Sequence, residues 1–250
     1  MGTAKGYGQF CPVSRAAEVV AVRWVPLVLR ELLSGSRHFA ELKRGIPLLS
    51  PAMLSLRLKE LVDAGVVVRS RGAAPRGSSV YHLTQAGEEL RPVIEALGVW
   101  GQRWAQHQPR PGEFDPEALM WAMRRRLDLK ALPGERAVLL FEFPDVRIAL
   151  RRFWLLVEHG EVDLCLTYPG REPDLELESS VPVMVQVYLG QVQPEAAVRR
   201  GAISLRGSRE LARTFPAWCA RSPFAPHARP HPLALPHGRE KRVDLLGRSP

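Results

Sequence analysis

A segment from Ser50 to Ala64 brings small, hydroxylated and basic side chains to one side of a helix. Ser50 is placed to accept a backbone N–H as the N-cap, and Pro51 suits the first turn. Leu54, Leu58, Leu61 and Val62 fall at i, i+4, i+7 and i+8, which turns them inward together. The opposite face then carries Ala52, Ser55, Lys59 and Asp63, with Met53, Leu56, Arg57 and Glu60 on its flanks. Short side chains at Ser50, Ala52 and Ser55 let such a helix come close to the edges of base pairs. Met53 or Leu56 suits a thymine methyl, and Arg57 suits guanine or a phosphate. The alternative for Arg57 is a surface ion pair with Glu60 or Asp63.

Other chemistry finds no footing. The chain has no phosphate-binding Gly-rich loop, no Gly-x-Ser-x-Gly, no His-Glu-x-x-His and no dinucleotide fingerprint after a strand. Asp163, Asp174, Glu176 and Glu178 fall on predicted strand edges or loops without a nameable partner. Cys11, Cys165 and Cys219 lie too far apart for a disulfide framework or a zinc pattern. His227, His231 and His237 cluster in a Pro-rich tail, where the expectation is solvation and not metal binding. The reading is therefore of a protein that is not an enzyme, with no cofactor and no metal.

The elements that would position the Ser50 helix precede and follow it. Helices are predicted over Pro12–Val22, Val25–Ser34 and Phe39–Arg44, and only Ile46-Pro47-Leu48-Leu49 separates the third from Ser50. That is a helix-turn-helix spacing, which sends the first turns of the second helix into the major groove. Val66–Arg71 and Ser79–Leu83 read as two strands around a flexible loop at 72–78, the shape of a wing. Arg37, Lys43 and Arg44 on the supporting helix are expected to grip phosphates, and Arg71 and Arg76 bracket the wing loop. Residues 1–110 carry 15 Lys and Arg against 8 Asp and Glu, a balance of +7. Phosphate contacts of this kind set register, and base contacts set sequence. Thr84 is expected to cap a long helix with Val93, Ile94, Leu97, Trp100 and Trp104 on one stripe. Pro92 falls inside that stretch and kinks or delays it. The stripe exceeds what a small domain needs and predicts a dimer surface, with the helix from Pro12 alongside.

Gln108–Gly112 reads as a linker, so residues 1–110 and 113–222 are expected to be separate domains. The second has predicted helices at Pro116–Leu132 and Ser208–Cys219. Strands are predicted at Ala137–Phe143, Ile148–Glu158, Val162–Tyr168, Leu175–Glu178 and Ala202–Arg206, with a helix or strand-helix mix at Val181–Gly190. Helices with a mainly antiparallel sheet make an α+β domain. Residues 223–250 are Pro-rich and aperiodic and are expected to be disordered. No apolar run is long enough to span a membrane, and Met1–Phe10 lacks the apolar segment of a secretory signal. The expected location is the cytoplasm.

Residues 11–104 resemble the HxlR-type winged helix family, a relative of the MarR regulators. The resemblance is carried by Cys-Pro-Val at 11–13, Arg-Trp at 23–24, Leu-Arg-Glu-Leu at 29–32 and Arg-His-Phe-Ala-Glu-Leu at 37–42. It continues through Ile-Pro at 46–47, Ser-Pro at 50–51, Leu-Ser-Leu-Arg-Leu-Lys-Glu-Leu at 54–61 and Ala-Gly-Val-Val at 64–67. Tyr-His-Leu-Thr at 81–84, Ala86-Gly87, Trp100 and Trp104 complete it. The resemblance implies a homodimer built through the first and last helices of this region, bound to a roughly palindromic duplex DNA operator; the reading is of a repressor, with an activator as the alternative. The loop at 72–78 departs from expectation, because Arg76 is its only charge.

Residues 116–222 resemble the sterol carrier protein type 2 fold, through the Trp154 strand, the Gly160 turn and Gly190–Gly207. That fold implies an apolar tunnel, and Trp154, Met184 and Tyr188 are the expected lining of a pocket for an apolar effector. The alternative is a packed core serving dimer contacts or stability. A rival for the whole chain is a lipid or small-molecule carrier whose winged helix mediates protein contacts only. Cys11 sits at the N-cap before Pro12, where the helix end favours a thiolate. Some HxlR-type regulators sense oxidants through a cysteine there, and the alternative is a thiol packed in the dimer interface.

Overall fold

The computed structural model describes residues 6–71, 79–105 and 114–229. The chain divides into two compact units, Met1–Ala122 and Met123–Pro250.

The first unit begins with four helices, α1 (Pro12–Val20), α2 (Val25–Leu33), α3 (Phe39–Gly45) and α4 (Pro51–Asp63). They are followed by the strands β1 (Val67–Arg71) and β2 (Ser79–Leu83), then by α5 (Gln85–Glu88) and α6 (Arg91–Trp104). One core joins them: Val25, Val28, Leu29 and Leu32 from α2, Leu42 from α3, and Leu54, Leu58 and Leu61 from α4. Val67 and Tyr81 of the ribbon and Ile94 of α6 close it. The spacing of these residues on each helix is the spacing that makes one apolar stripe. Ser50 Oγ accepts the Met53 N–H at 3.2 Å, which caps α4.

The long helix expected from Thr84 is two helices. Thr84 Oγ1 accepts the Gly87 N–H at 3.2 Å and so caps only the short α5. Pro92 offers no N–H to continue the ladder, so the chain restarts as α6 with Pro92 in its first turn. Ile94 is a second correction. It is buried in the unit's own core and not on the outer stripe.

Helix α7 (Pro116–Arg124) straddles the division between the units. The expected helix to Leu132 stops at Arg124. Asp128 Oδ1 takes the Lys130 and Ala131 N–H groups, and the Asp128 N–H goes to Trp218 O at 3.1 Å. These bonds hold a turn where helix bonds would run.

The second unit is built on a five-stranded sheet in the order β5-β4-β3-β6-β7. The strands are β3 (Arg136–Glu142), β4 (Arg152–Glu158), β5 (Glu161–Cys165), β6 (Leu175–Ser179) and β7 (Ile203–Gly207). All neighbours are antiparallel except β3 and β6, which run parallel. The first residues of the expected 148–158 strand form a short 3-10 turn, Ile148–Leu150, and the expected 162–168 strand ends at Cys165. His159 and Gly160 both have positive φ, 51° and 80°, and join β4 to β5 in the tight turn that strand twist favours. Helices α8 (Val181–Tyr188) and α9 (Pro194–Arg199) lie between β6 and β7, and α10 (Arg209–Trp218) follows β7. Residues 223–229, expected to be disordered, include a 3-10 turn at Ala225–His227. The rest of the expected tail, 230–250, lies outside the described residues.

Gly87 tests the packing of the ribbon on α5. A Cβ there would meet the Val66 carbonyl oxygen at 2.3 Å, a backbone atom that cannot swing aside. Gly87→Ala is expected to lower unfolding stability by about 1–3 kcal/mol. Gly65→Ala, at φ +72° with open space around it, should cost only the left-handed backbone penalty of about 1 kcal/mol. Urea melts of the two variants check the order, and equal losses would show that the Val66 contact does not matter.

Candidate nucleic-acid interface

The turn between α3 and α4 is built before the helix it aims. Ile46 and Leu49 are buried within it, while Leu48 stands 72% exposed. Arg30 Nη2 donates to Gly45 O at 2.9 Å and to Glu31 Oε1 at 3.1 Å. Ser36 Oγ donates to the other Glu31 oxygen at 3.1 Å. Glu41 accepts the Arg37 and His38 N–H groups at 2.7 and 3.0 Å, which satisfies the start of α3. With the turn held this way, α4 turns Leu54, Leu58 and Leu61 inward and leaves Ser50, Pro51, Ala52, Ser55, Leu56 and Lys59 exposed. Met53 and Arg57 are half-buried at the flanks.

The basic side chains are less available than their types suggest. Arg37 precedes α3 and is not on it. Its Nη1 folds back onto Leu32 O at 2.6 Å, because the last carbonyls of α2 lack helical partners. Lys43 Nζ donates to Pro47 O at 2.7 Å, across the turn. The Arg44 guanidinium lies over the Trp121 ring, 5.5 Å from its centroid. Arg57 pairs with Glu60 in an i,i+3 ion pair, the alternative left open above for this residue. Lys59 is exposed and bonds to no described residue, and Arg71 likewise stands exposed at the end of β1. Arg76 lies outside the described residues.

Sequence reasoning missed Arg69. It is exposed on β1, two residues before Arg71 and so on the same side of the strand, and its Nε donates to Ser79 Oγ at 2.8 Å. Strand alternation back from Arg71 would have found it. The ribbon is also tied to the helix-turn-helix. The Tyr81 N–H donates to Arg37 O at 2.9 Å, and His38 bridges to Val80.

Residues 19–109 match the HxlR-like helix-turn-helix family. The uncharacterized HTH-type transcriptional regulator YvaP of Bacillus subtilis is 36% identical over 97 residues, covering 38% of this chain and 90% of its own length. The chain belongs to the HxlR-like family. YkvN of the same organism, also named an HTH-type transcriptional regulator, is 34% identical and covers 44% of this chain and 95% of itself. Another HTH-type regulator, from Methanothermobacter thermautotrophicus, is 33% identical, with 42% and 81% covered. Among solved structures, the reduced form of YodB from B. subtilis is 28% identical, covers 40% of this chain and 100% of that one, and has a TM-score of 0.35. HxlR-like proteins are regulators, so this chain is not an enzyme.

The family match ends at residue 109, and the pocket expected beyond it does not assemble. Trp154 pairs across the sheet with Leu140 and Cys165. It clusters with Val138, Leu140, Leu156 and Cys165, and its ring meets Tyr168 edge-on at 6.4 Å. Met184 is fully buried and Tyr188 partly so, and neither belongs to the Trp154 cluster. The reason lies in the pleat. Phe153 and Leu155 take one face of β4, and Trp154 takes the other. A cleft of about 570 Å³ lies elsewhere, lined by Gly190, Gln191, Gln193, Arg221, Ser222 and residues of 223–228. Asp174, without a partner in the sequence reading, accepts the Val138 N–H at 2.7 Å and so serves the sheet.

In this HxlR-like chain the three cysteines differ. Cys11 is half-buried at the start of α1, and its carbonyl accepts Ser14 Oγ at 2.8 Å. Burial raises the Cys165 thiol above the usual range, with Asp163 adding to it. Burial pushes Cys219 up to about 12, from an unfolded value of about 8.5. The folded core therefore holds the neutral thiol. That contribution is whole below about pH 8.5 and is lost as pH rises through the folded value. At pH 8, a thiol-reactive chromophore should label Cys11 and Cys165 in the native protein and Cys219 only after denaturation. Three fast-reacting thiols in the native state would contradict the burial of Cys219. Among the described residues, no group of three His, Cys, Asp or Glu is placed to hold a metal ion. No helix there is long and apolar enough to cross a membrane.

Proposed function

We propose that this chain is a transcriptional regulator, acting as a repressor, which binds a pseudo-palindromic duplex as a homodimer and reads it with α4. The observation that carries the reading is the exposed face of α4. Its first turns present Ser50, Ala52 and Ser55, short enough for base edges to come near, with Leu56 beside them. Lys59 on the same face, with Arg69 and Arg71 on the ribbon, supplies charge for phosphates. Arg37, Lys43 and Arg44 support the scaffold first and reach phosphate only by leaving their internal partners.

Dimerisation is supported by apolar surface that the first unit leaves in water. Trp100 and Trp104 of α6 are 60% and 62% exposed, and Val93 and Leu97 lie on the same helix. Phe10 is 92% exposed and Val13 of α1 is also exposed. Large apolar side chains left exposed along one helix suit an interaction site. Trp100→Glu is expected to give a monomer in sedimentation at micromolar concentration. An unchanged dimer would remove α6 from the interface.

The DNA reading predicts two half-sites about 34 Å apart, one helical turn. Lys59→Ala and Arg71→Ala should weaken binding evenly across sequences, each lowering the salt slope by about 1. Ser55→Glu should abolish binding. Mobility shifts and fluorescence anisotropy at several salt concentrations test this. No binding to any fragment upstream of its own gene would overturn the regulator reading.

The second unit is read as an effector module. Its ligand is sited at the cleft beside Gly190, because Trp154 and Met184 belong to different packing groups. A lining of prolines and alanines together with Gln191, Gln193 and Arg221, which donates to Gln193 Oε1 at 3.0 Å, suits a small amphipathic molecule with an anionic end. Linkage then requires DNA to change effector affinity by the same factor.

A further inference from the structure

We propose that Glu60 is a latch that withholds Arg57 from non-cognate DNA, which makes Glu60 a specificity-determining residue although it need not touch DNA. The inference rests on the reading of α4 as the DNA-facing helix.

Three observations carry it. Arg57 sits on the flank of α4, one turn from Met53, with Glu60 between it and the exposed Leu56 around the helix. Its side chain is only 16% exposed, and the charge partner that holds it is Glu60, whose side chain is 45% exposed. Arg57 Nε is buried and has no hydrogen-bond partner among the described residues.

The third observation separates a latch from an ordinary surface pair. A guanidinium at rest satisfies its donors with carboxylate, carbonyl or water. Here one donor is taken from water and given nothing in return, a state that is costly to hold. The folded-in position of Arg57 therefore depends on the Glu60 carboxylate. Without that charge, the outward rotamers regain water at Nε, and the guanidinium swings out into solvent on the Glu60 and Leu56 side of the helix.

On duplex DNA the two competing acceptors are the Glu60 carboxylate and the groups of the duplex. A random sequence offers only phosphates, which must displace Glu60 without further return. A cognate step that presents a guanine O6 and N7 pair to Arg57 offers a bidentate site, which outcompetes a single exposed carboxylate. The latch lowers affinity for random duplex more than for operator, so it widens the gap between them. Asp63, also exposed on α4, has no such partner among the described residues and serves as the control carboxylate.

The test is a double-mutant cycle on the full-length protein, using a random-sequence duplex and the upstream duplex. Glu60→Gln is expected to raise affinity for random DNA by up to about fivefold, the range of a partly exposed ion pair. It should also steepen the dependence on salt by about 0.9, one extra phosphate. Affinity for the upstream duplex should rise less, so the ratio of the two falls. In the Arg57→Ala background, Glu60→Gln should do nothing on either duplex. Asp63→Asn should give no gain that depends on Arg57. Thermal melts confirm that each exposed-site variant is folded. An equal gain with and without Arg57 would mean simple repulsion of phosphate by Glu60, and the latch would be overturned while the DNA reading stands. Failure of wild type and Glu60→Gln alike to bind any duplex would overturn the reading and the latch together.

Discussion

A single buried carboxylate organises the first unit. Glu31 is 2% exposed at the end of α2, and it lies where α2, the segment after it and the end of α3 meet. Ser36 holds one of its oxygens and Arg30 the other, and Arg30 also holds the Gly45 carbonyl. The carboxylate occupies the space a side chain at residue 45 would need, since a Cβ there would meet Glu31 Cδ at 2.1 Å. Gly45 ends α3 and begins the turn into α4. The direction of α4 therefore follows from the way a charged group has been made tolerable inside the core. A buried charge persists only when its oxygens are satisfied, and here Arg30, one of the groups that satisfy it, also holds the carbonyl at which the turn begins.

This arrangement explains why the outer face of α4 can be plain. Stability is supplied by the Leu54, Leu58 and Leu61 stripe and by the Ser50 cap, neither of which involves the exposed row. Ala52, Ser55 and Leu56 are thus free of structural duty. The basic residues divide in the same way. Those close to the turn, Arg30, Arg37 and Lys43, satisfy backbone carbonyls, and those further out, Lys59 and Arg71, do not.

Much of this was legible in the residues. Helical spacing and caps located α2, α3 and α4 to within a residue or two, because apolar period, Ser50-Pro51 and the glycines all agree there. The His159-Gly160 turn and most strands of the second unit were legible for the same reason. What escaped depended on partners distant in sequence. The Asp128 bonds that stop α7 early involve Trp218, ninety residues away in sequence by number. The inward fold of Arg37 is set by carbonyls left over at the end of another helix. Helical spacing grouped Ile94 with Val93 and Leu97, but packing with the α2 residues took it into the core and left those two outside. Trp154 was grouped with Met184 and Tyr188 by residue type, whereas pleat and register assign its neighbours. The pairing of Arg57 with Glu60 was visible as an option at i,i+3, but burial of the arginine was not.

The ribbon is not a loose appendage. Through the Tyr81 N–H on Arg37 O and the bridge from His38 to Val80, β2 is stitched to the stretch that leads into α3. If α4 and the ribbon both grip a duplex as proposed, these bonds join the two jaws of a gauge through the start of α3. A duplex gripped by both has to supply the adjustment itself, through groove width and bending. Sequences that deform cheaply, such as pyrimidine–purine steps, would then be favoured at positions no side chain reaches. Part of the selectivity of such a gauge is written in the elasticity of the DNA, and it would survive changes to the side chains that touch bases.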